Sequence, residues 1–347
     1  MALLLAGCSA EQEAYDAGQQ KGLMPVLLSA GNVNRALTRA SASYMPAGSH
    51  FRCAMFFHAG ASDNNDTEYA DPILGVNTFS NSLSIDGNLG EATYNDGKSF
   101  YWQNRLNHVF LALADNHHQA EAPQANVGET VTYDLTRTET MQGMTDQPDP
   151  MVAHVIMKPA GATSEANRVK LFFKHQFAQV QVNLKNSQDE SVTIDETLIE
   201  RVELLGVAEM AYVAYAINSD GTVLAAKAEP INIENVKYSA TKKDNPYGSL
   251  FNMFERTTPT PGYLKSFECI AFGTLQGIRI TWKESAATDA VVHKVTFKGV
   301  KNLALESGKK YIYNVELRRS QIAQVTPEIA DWGEDKTPYE ADGTIMD

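Results

Sequence analysis

The chain has 347 residues, 43% of them apolar, and 42 acidic against 29 basic side chains give a formal net charge of -13. That length suits about two domains with cores large enough to need no staples, and the acidic balance excludes nucleic acid and an anionic membrane surface as the main partner. The three cysteines, Cys8, Cys53 and Cys269, lie far apart with no CxxC pair, so neither a zinc site nor a disulfide framework is signalled.

In chain order, the first feature is "LLLAGC", an apolar run that stops at Cys8 and gives way to an acidic, soluble stretch. Leu5, Ala6, Gly7 and Cys8 together resemble a bacterial lipobox, in which the apolar leader is removed and the cysteine is acylated. The resemblance implies a lipoprotein signal remnant at 1–7 and a lipidated Cys8, held firmly by several fatty acyl groups of the palmitate class. No basic residue precedes the run, so the expectation is a leader whose true start lies upstream. Residues 9–21 are polar and small, as a tether should be. "MPVLLSA" (24–30) predicts a short strand, and the stretch after it reads as an exposed loop carrying Arg35 and Arg39. "HFRCAMFFHAG" is an apolar strand bounded by the turn-rich "ASDNNDTEYADP". "ATYNDGKSFYW" sets Asn-Asp-Gly between strand-forming residues, a hairpin signal.

Later segments alternate strictly. In "AQVQVNL", Ala178, Val180, Val182 and Leu184 face one way while Gln179, Gln181 and Asn183 face the other. "GIRITW", "HKVTFKG" and "YIYNVELR" repeat the pattern, and period two at this density predicts antiparallel sheet with one wet face. "TLIERVELLGVAEMAYVAYAI" has some helical periodicity, but Gly206 and its β-branched content favour strand. The polar stretch at 158–168, "KPAGATSEANR", reads as a linker between two strand-rich halves. The expected fold is all-β, two sandwiches in tandem.

Reactive motifs are scarce. "ATYNDGKS" puts Ala92 where a phosphate-binding loop needs glycine. His117 and His118 are adjacent, so on a strand they point to opposite faces, and they read as a solvated turn. "DNNDTE" (63–68) lacks the glycine of a calcium loop and reads as a surface turn. His175 reads as a packing or hydrogen-bonding histidine. With no HExxH, GxSxG or paired-cysteine motif, the expectation is a protein without catalysis, cofactor or metal.

Four stretches share a further likeness. "LESGKKYIYNVELRRSQIAQVTPEIADWGED" has a Gly-Lys turn, an aromatic-rich strand and an acidic residue before Trp332, and resembles the closing strands of the Bacteroidota fimbrillins. "VKLFFKHQFAQVQVNL" resembles the strand that opens their second domain, "DPMVAHV" the segment before it, and "ALTRASAS" the Thr-Arg region after their leader. The resemblance implies two transthyretin-like Greek-key β-sandwich domains, at 40–165 and 166–347, behind a lipidated leader at 8–39. It implies a surface-exposed lipoprotein of the cell outer membrane and the pilus (fimbria), serving as pilus subunit or accessory adhesin in cell adhesion. Its partners would be other fimbrillin subunits, the outer membrane through the lipid anchor, and a host or bacterial surface ligand. In polymerising members a trypsin-like protease cuts after an arginine following the first strand. The matching residues here are Arg39, or Arg35 as second candidate, with "MPVLLSA" as the releasable strand. Loss of that strand leaves unpaired backbone groups and an apolar slot, which a strand from a neighbour can fill, and head-to-tail joining of this kind grows open-ended. The alternative function class is a surface lipoprotein that binds glycans for nutrient uptake, with Tyr101 and Trp102 as a sugar-stacking platform.

Overall fold

The computed structural model describes residues 23–32, 48–58, 77–84, 90–94, 99–117, 123, 125–135, 140–188, 193–224, 226–229, 250–298, 303–319, 321–331, 337–338 and 344–346. Cys8, Arg35, Arg39, His118 and the 63–68 turn lie outside the described residues. The chain first runs through β1 (Leu28–Asn32), β2 (His50–Phe57), β3 (Asn77–Ser84), β4 (Gly90–Tyr94), β5 (His108–Asp115), β6 (Thr130–Asp134), β7 (Pro150–Met157) and β8 (Val169–His175). All of these except β6 form one sheet, ordered β1-β4-β3-β2-β5-β7-β8, which closes on itself where β8 meets β1. Alternate side chains point inward, so Leu28, Phe51, Met55, Phe110, Leu171 and Phe173 gather in one apolar core.

The chain continues through β9 (Ala178–Asn186), β10 (Ile199–Val207), β11 (Met210–Ala214), β12 (Lys227–Glu229), β13 (Leu250–Asn252), β14 (Phe254–Glu255), β15 (Lys265–Ala271), β16 (Gly273–Lys283), β17 (Val292–Lys298), β18 (Leu303–Leu305), β19 (Lys309–Leu317), β20 (Ile322–Asp331), β21 (Thr337–Pro338) and β22 (Thr344–Met346). One sheet runs β14-β15-β9-β19-β20-β21, a second β13-β10-β16-β17-β22 with β18 beside β16, and a third β12-β11-β6. Val180, Val182, Tyr311 and Tyr313 of the first share a core with Val202, Ile278, Ile280 and Trp282 of the second, so the two sheets pack as a sandwich. That core also takes in the outer face of the closed sheet, through Phe56 on β2, Val109, Leu111 and Leu113 on β5, and Val152 on β7.

The all-β expectation holds, and "TLIERVELLGVAEMAYVAYAI" is strand: a 3-10 turn at Glu196–Leu198 leads into β10 and β11. Gly206 stands at a register shift in β10 with φ 81°, a conformation that an added Cβ would strain. Three expectations need correction. The sheets are mixed rather than antiparallel throughout, because β1 pairs with β8, and β9 with β19, in parallel. The second face of β9 is not wet, since Gln179, Gln181 and Asn183 are all buried. And 158–168 is a folded loop joining two strands of one sheet. The buried Asn167 side chain organises it: its Oδ1 accepts from the amides of Ala160 and Gly161, and its Nδ2 donates to the carbonyls of Gly161 and Thr163. The chain leaves the closed sheet for the last time at Gln176 and Phe177, between β8 and β9.

Candidate functional site

The strand anticipated at 24–30 is seated slightly later and is flanked on both sides. Its antiparallel neighbour is β4, with Leu28 opposite Ala92 and Ala30 opposite Gly90. Its parallel neighbour is β8, in register from Leu28 beside Val169 to Asn32 beside Phe173. Ahead of β1, Pro25 bridges Tyr101, Val26 N donates to the Phe100 carbonyl at 2.9 Å, and Trp102 N donates to the Met24 carbonyl at 3.0 Å. Residues 100–102 therefore pair with 24–26, whereas the sequence signal placed them in a hairpin with β4. Val26, Leu28 and Ala30 alternate into the core with at most 1% of their surface exposed. Burial of the valine and leucine contributes roughly 1.5–3 kcal/mol each.

Side chains also grip this segment. Tyr94 Oη donates to the Val26 carbonyl at 3.0 Å, and Arg168 Nη1 donates to the Leu28 carbonyl at 3.4 Å. Arg168 holds both oxygens of Glu165, at 2.9 and 2.6 Å, and lies 3.7 Å from Glu91 on β4. The hydrogen bond from Arg168 keeps the Glu165 carboxyl below its ordinary range. Removal of β1 together with the residues just ahead of it would uncover the facing edges of β4 and β8 and leave the places of Val26, Leu28 and Ala30 empty. Arg35 and Arg39 follow β1 in sequence but lie outside the described residues, as does Cys8.

A second polar cluster was not foreseen from the sequence. Asp149, with no exposed surface, accepts from His175 Nδ1 at 2.9 Å and from Asn116 Nδ2 at 3.1 Å. His117 is drawn into the same cluster and is no solvated turn: its Nδ1 lies 2.8 Å from the Gln147 carbonyl oxygen and its Nε2 3.8 Å from Asp149. Asp115 accepts from the amides of His117 and Asp149. His175 is the hydrogen-bonding histidine expected of it. The cluster joins the ends of β5 and β8 to the start of β7, three segments distant in sequence, so no local motif announces it. Among the described residues no group of acidic, histidine or cysteine side chains could hold a metal, and no helix is long and apolar enough to cross a membrane.

Trp102 is core rather than a sugar platform. It is 3% exposed and packs edge-on against His108, with ring centroids 4.9 Å apart, and against Phe110.

A family model described as fimbrillin-like matches residues 38–332, and the chain belongs to the fimbrillin-like family. A crystal structure of a candidate cell adhesion protein from Bacteroides uniformis is similar, with 17% identity and a TM-score of 0.54 over 89% of this chain and 99% of that one. Another from Bacteroides ovatus has 14% identity and a TM-score of 0.54 over 89% and 98%. At these identities the likeness is one of fold. No curated protein sequence matches the chain.

Proposed function

We propose that this chain is a surface-exposed fimbrial subunit or accessory adhesin that joins its neighbours by exchanging β1 for a strand of another subunit. One observation carries the reading: β1 closes the seven-stranded sheet between β4 and β8, with apolar side chains inward and both backbone edges engaged. A strand so placed leaves a ready-made acceptor when it departs. Membership in the fimbrillin-like family and the fold shared with candidate adhesion proteins support the same assignment. In this reading Cys8 carries the lipid that holds the chain to the outer membrane, and cleavage after Arg39, or Arg35, frees β1. The partners are other fimbrillin subunits and a surface ligand, and the working location is the pilus at the cell surface. The closed sheet would carry the exchange, with β4 and β8 as the edges that receive the incoming strand.

Trypsin treatment of the purified full chain tests the reading. The expected result is cleavage after Arg39 or Arg35, loss of the β1 segment and a ladder of SDS-resistant oligomers, abolished by combining Arg35→Ala with Arg39→Ala. A chain cut at either bond that stays monomeric refutes strand exchange. Mass spectrometry of the membrane fraction should find Cys8 acylated; an unmodified Cys8 removes the anchor.

A further inference from the structure

The two side chains that grip β1 do so in a way that ignores its sequence. Tyr94 and Arg168 both donate to main-chain carbonyls, those of Val26 and Leu28, at 3.0 and 3.4 Å. Every strand carries such carbonyls at the same repeat. The donors approach from opposite neighbours of β1: Tyr94 is the last residue of β4, and Arg168 immediately precedes β8.

We infer that Tyr94 and Arg168 form a clasp across the β1 slot that sets how readily β1 leaves, and that the same clasp fastens the incoming strand of another subunit. Its second role rests on the strand-exchange reading; its first does not. The clasp is preorganised. Glu165, in the 3-10 turn Glu165–Asn167, engages the guanidinium through two parallel bonds, the geometry in which arginine is held most firmly. The turn itself is anchored by Asn167, which also lies 3.4 Å from Met24 Sδ. Glu91, directly opposite Ser29 on β1, adds a carboxylate 3.7 Å from the guanidinium, so the arginine spans from the β7–β8 loop over β1 to β4. On the β4 side the ladder is short, covering only Leu28, Ser29 and Ala30, while β8 pairs with all five residues of β1. The two side-chain bonds add to the backbone bonds that must break for β1 to open, and Tyr94 comes from the side where the ladder is shorter.

Amide hydrogen exchange on the full, uncut chain tests the first role without any cleavage. In Arg168→Gln and in Tyr94→Phe, the amides of 26–32 and of Trp102 should exchange about tenfold faster than in the wild type, while those of β5 stay unchanged. Arg168→Lys should recover part of the protection, because an ammonium reaches the Leu28 carbonyl but cannot engage Glu165 and Glu91 together. Exchange of 26–32 unchanged within twofold in both variants overturns the clasp. Faster exchange spread equally over β5 also overturns it, since the effect would then lie in the fold and not in the slot. For the second role the probe is a synthetic peptide of residues 24–34 added to trypsin-treated protein stripped of its own β1. Wild-type protein should bind it about tenfold more tightly than Arg168→Gln does, and equal affinity overturns the second role. A wild type that forms no oligomers, while its β1 protection depends on Arg168, refutes strand exchange and upholds the clasp on β1.

Discussion

His108 is fully buried at the start of β5, and its ring has both nitrogens engaged. The Gln103 amide donates to Nε2 at 3.2 Å, which leaves the proton on Nδ1 to donate to the Leu106 carbonyl at 2.9 Å. The neutral ring is therefore satisfied, and a second proton would displace the Gln103 amide. Burial, chiefly, lowers the pKa to about 4 from the ordinary 6.5, with His58 adding to the effect and the Leu106 carbonyl opposing it. Between those two values the unfolded chain binds a proton that the folded chain refuses. Stability from this site is complete above pH 6.5 and is lost as pH falls toward 4, at up to about 1.4 kcal/mol per pH unit. Thermal melts of the wild type should fall steeply across that window. His108→Gln should start lower at pH 7 and fall less steeply, and parallel profiles would show that another group is responsible. Nothing in "RLNHVF" marks this histidine. Its burial is set by Trp102, six residues earlier, and by Phe57 on β2, distant in sequence. Trp102 misleads too: a tryptophan beside a tyrosine looks alike in a core and on a platform, and what decides is its backbone pairing with Met24, distant in sequence.

At the scale of an element, β9 shows how far alternation can be trusted. Period two assigns its two faces correctly, with Val180, Val182 and Leu184 in the core. It says nothing of what covers the other face. There Asn183 Oδ1 accepts from Gln181, Thr260 and Ser266 at 2.8, 2.9 and 2.7 Å, and its Nδ2 donates to Asn314 at 2.9 Å. Amides can satisfy one another in this way and go under cover; lone charges cannot. The contrast within the chain is direct. The outward residues of β8 include Lys170 and Lys174, which stay exposed, whereas the buried Glu203 of β10 stands opposite the buried Arg279 of β16 in register. Uncharged polar residues permit a covered face but do not announce one, since Thr132 on β6 and Gln324 and Thr326 on β20 stay exposed. Asn183→Ala takes a partner from four side chains, three of them buried, and should lower stability by about 3 kcal/mol, read from the midpoint of urea unfolding. A change under 1 kcal/mol would mean that water readily replaces the amide.

For the whole molecule, the strands of the sandwich are legible because their patterns are local, while the seating of β1 is not. Its partners are residues 90–92 and 169–173, and direction, parallel or antiparallel, leaves no trace in hydrophobicity. The joint between the closed sheet and the sandwich was equally silent, and two contacts compete to define it. One is polar: Gln147 Oε1 accepts from the Ile270 amide of β15 at 2.7 Å, and its Nε2 donates to the Leu135 carbonyl at 2.7 Å. The other is apolar, the outer faces of β2, β5 and β7 buried against the second core. Gln147→Ala leaves one buried N–H and one buried carbonyl unpaired, about 1–3 kcal/mol each. The apolar face, with Phe56, Val109, Leu111, Leu113 and Val152 covered, contributes on the order of 10 kcal/mol. The apolar contact is the stronger of the two and should govern cooperativity. Calorimetry of Gln147→Ala is therefore expected to give a lower melting temperature in a single transition, as in the wild type. Two separated transitions would show instead that the glutamine, not the apolar face, makes the closed sheet and the sandwich unfold together.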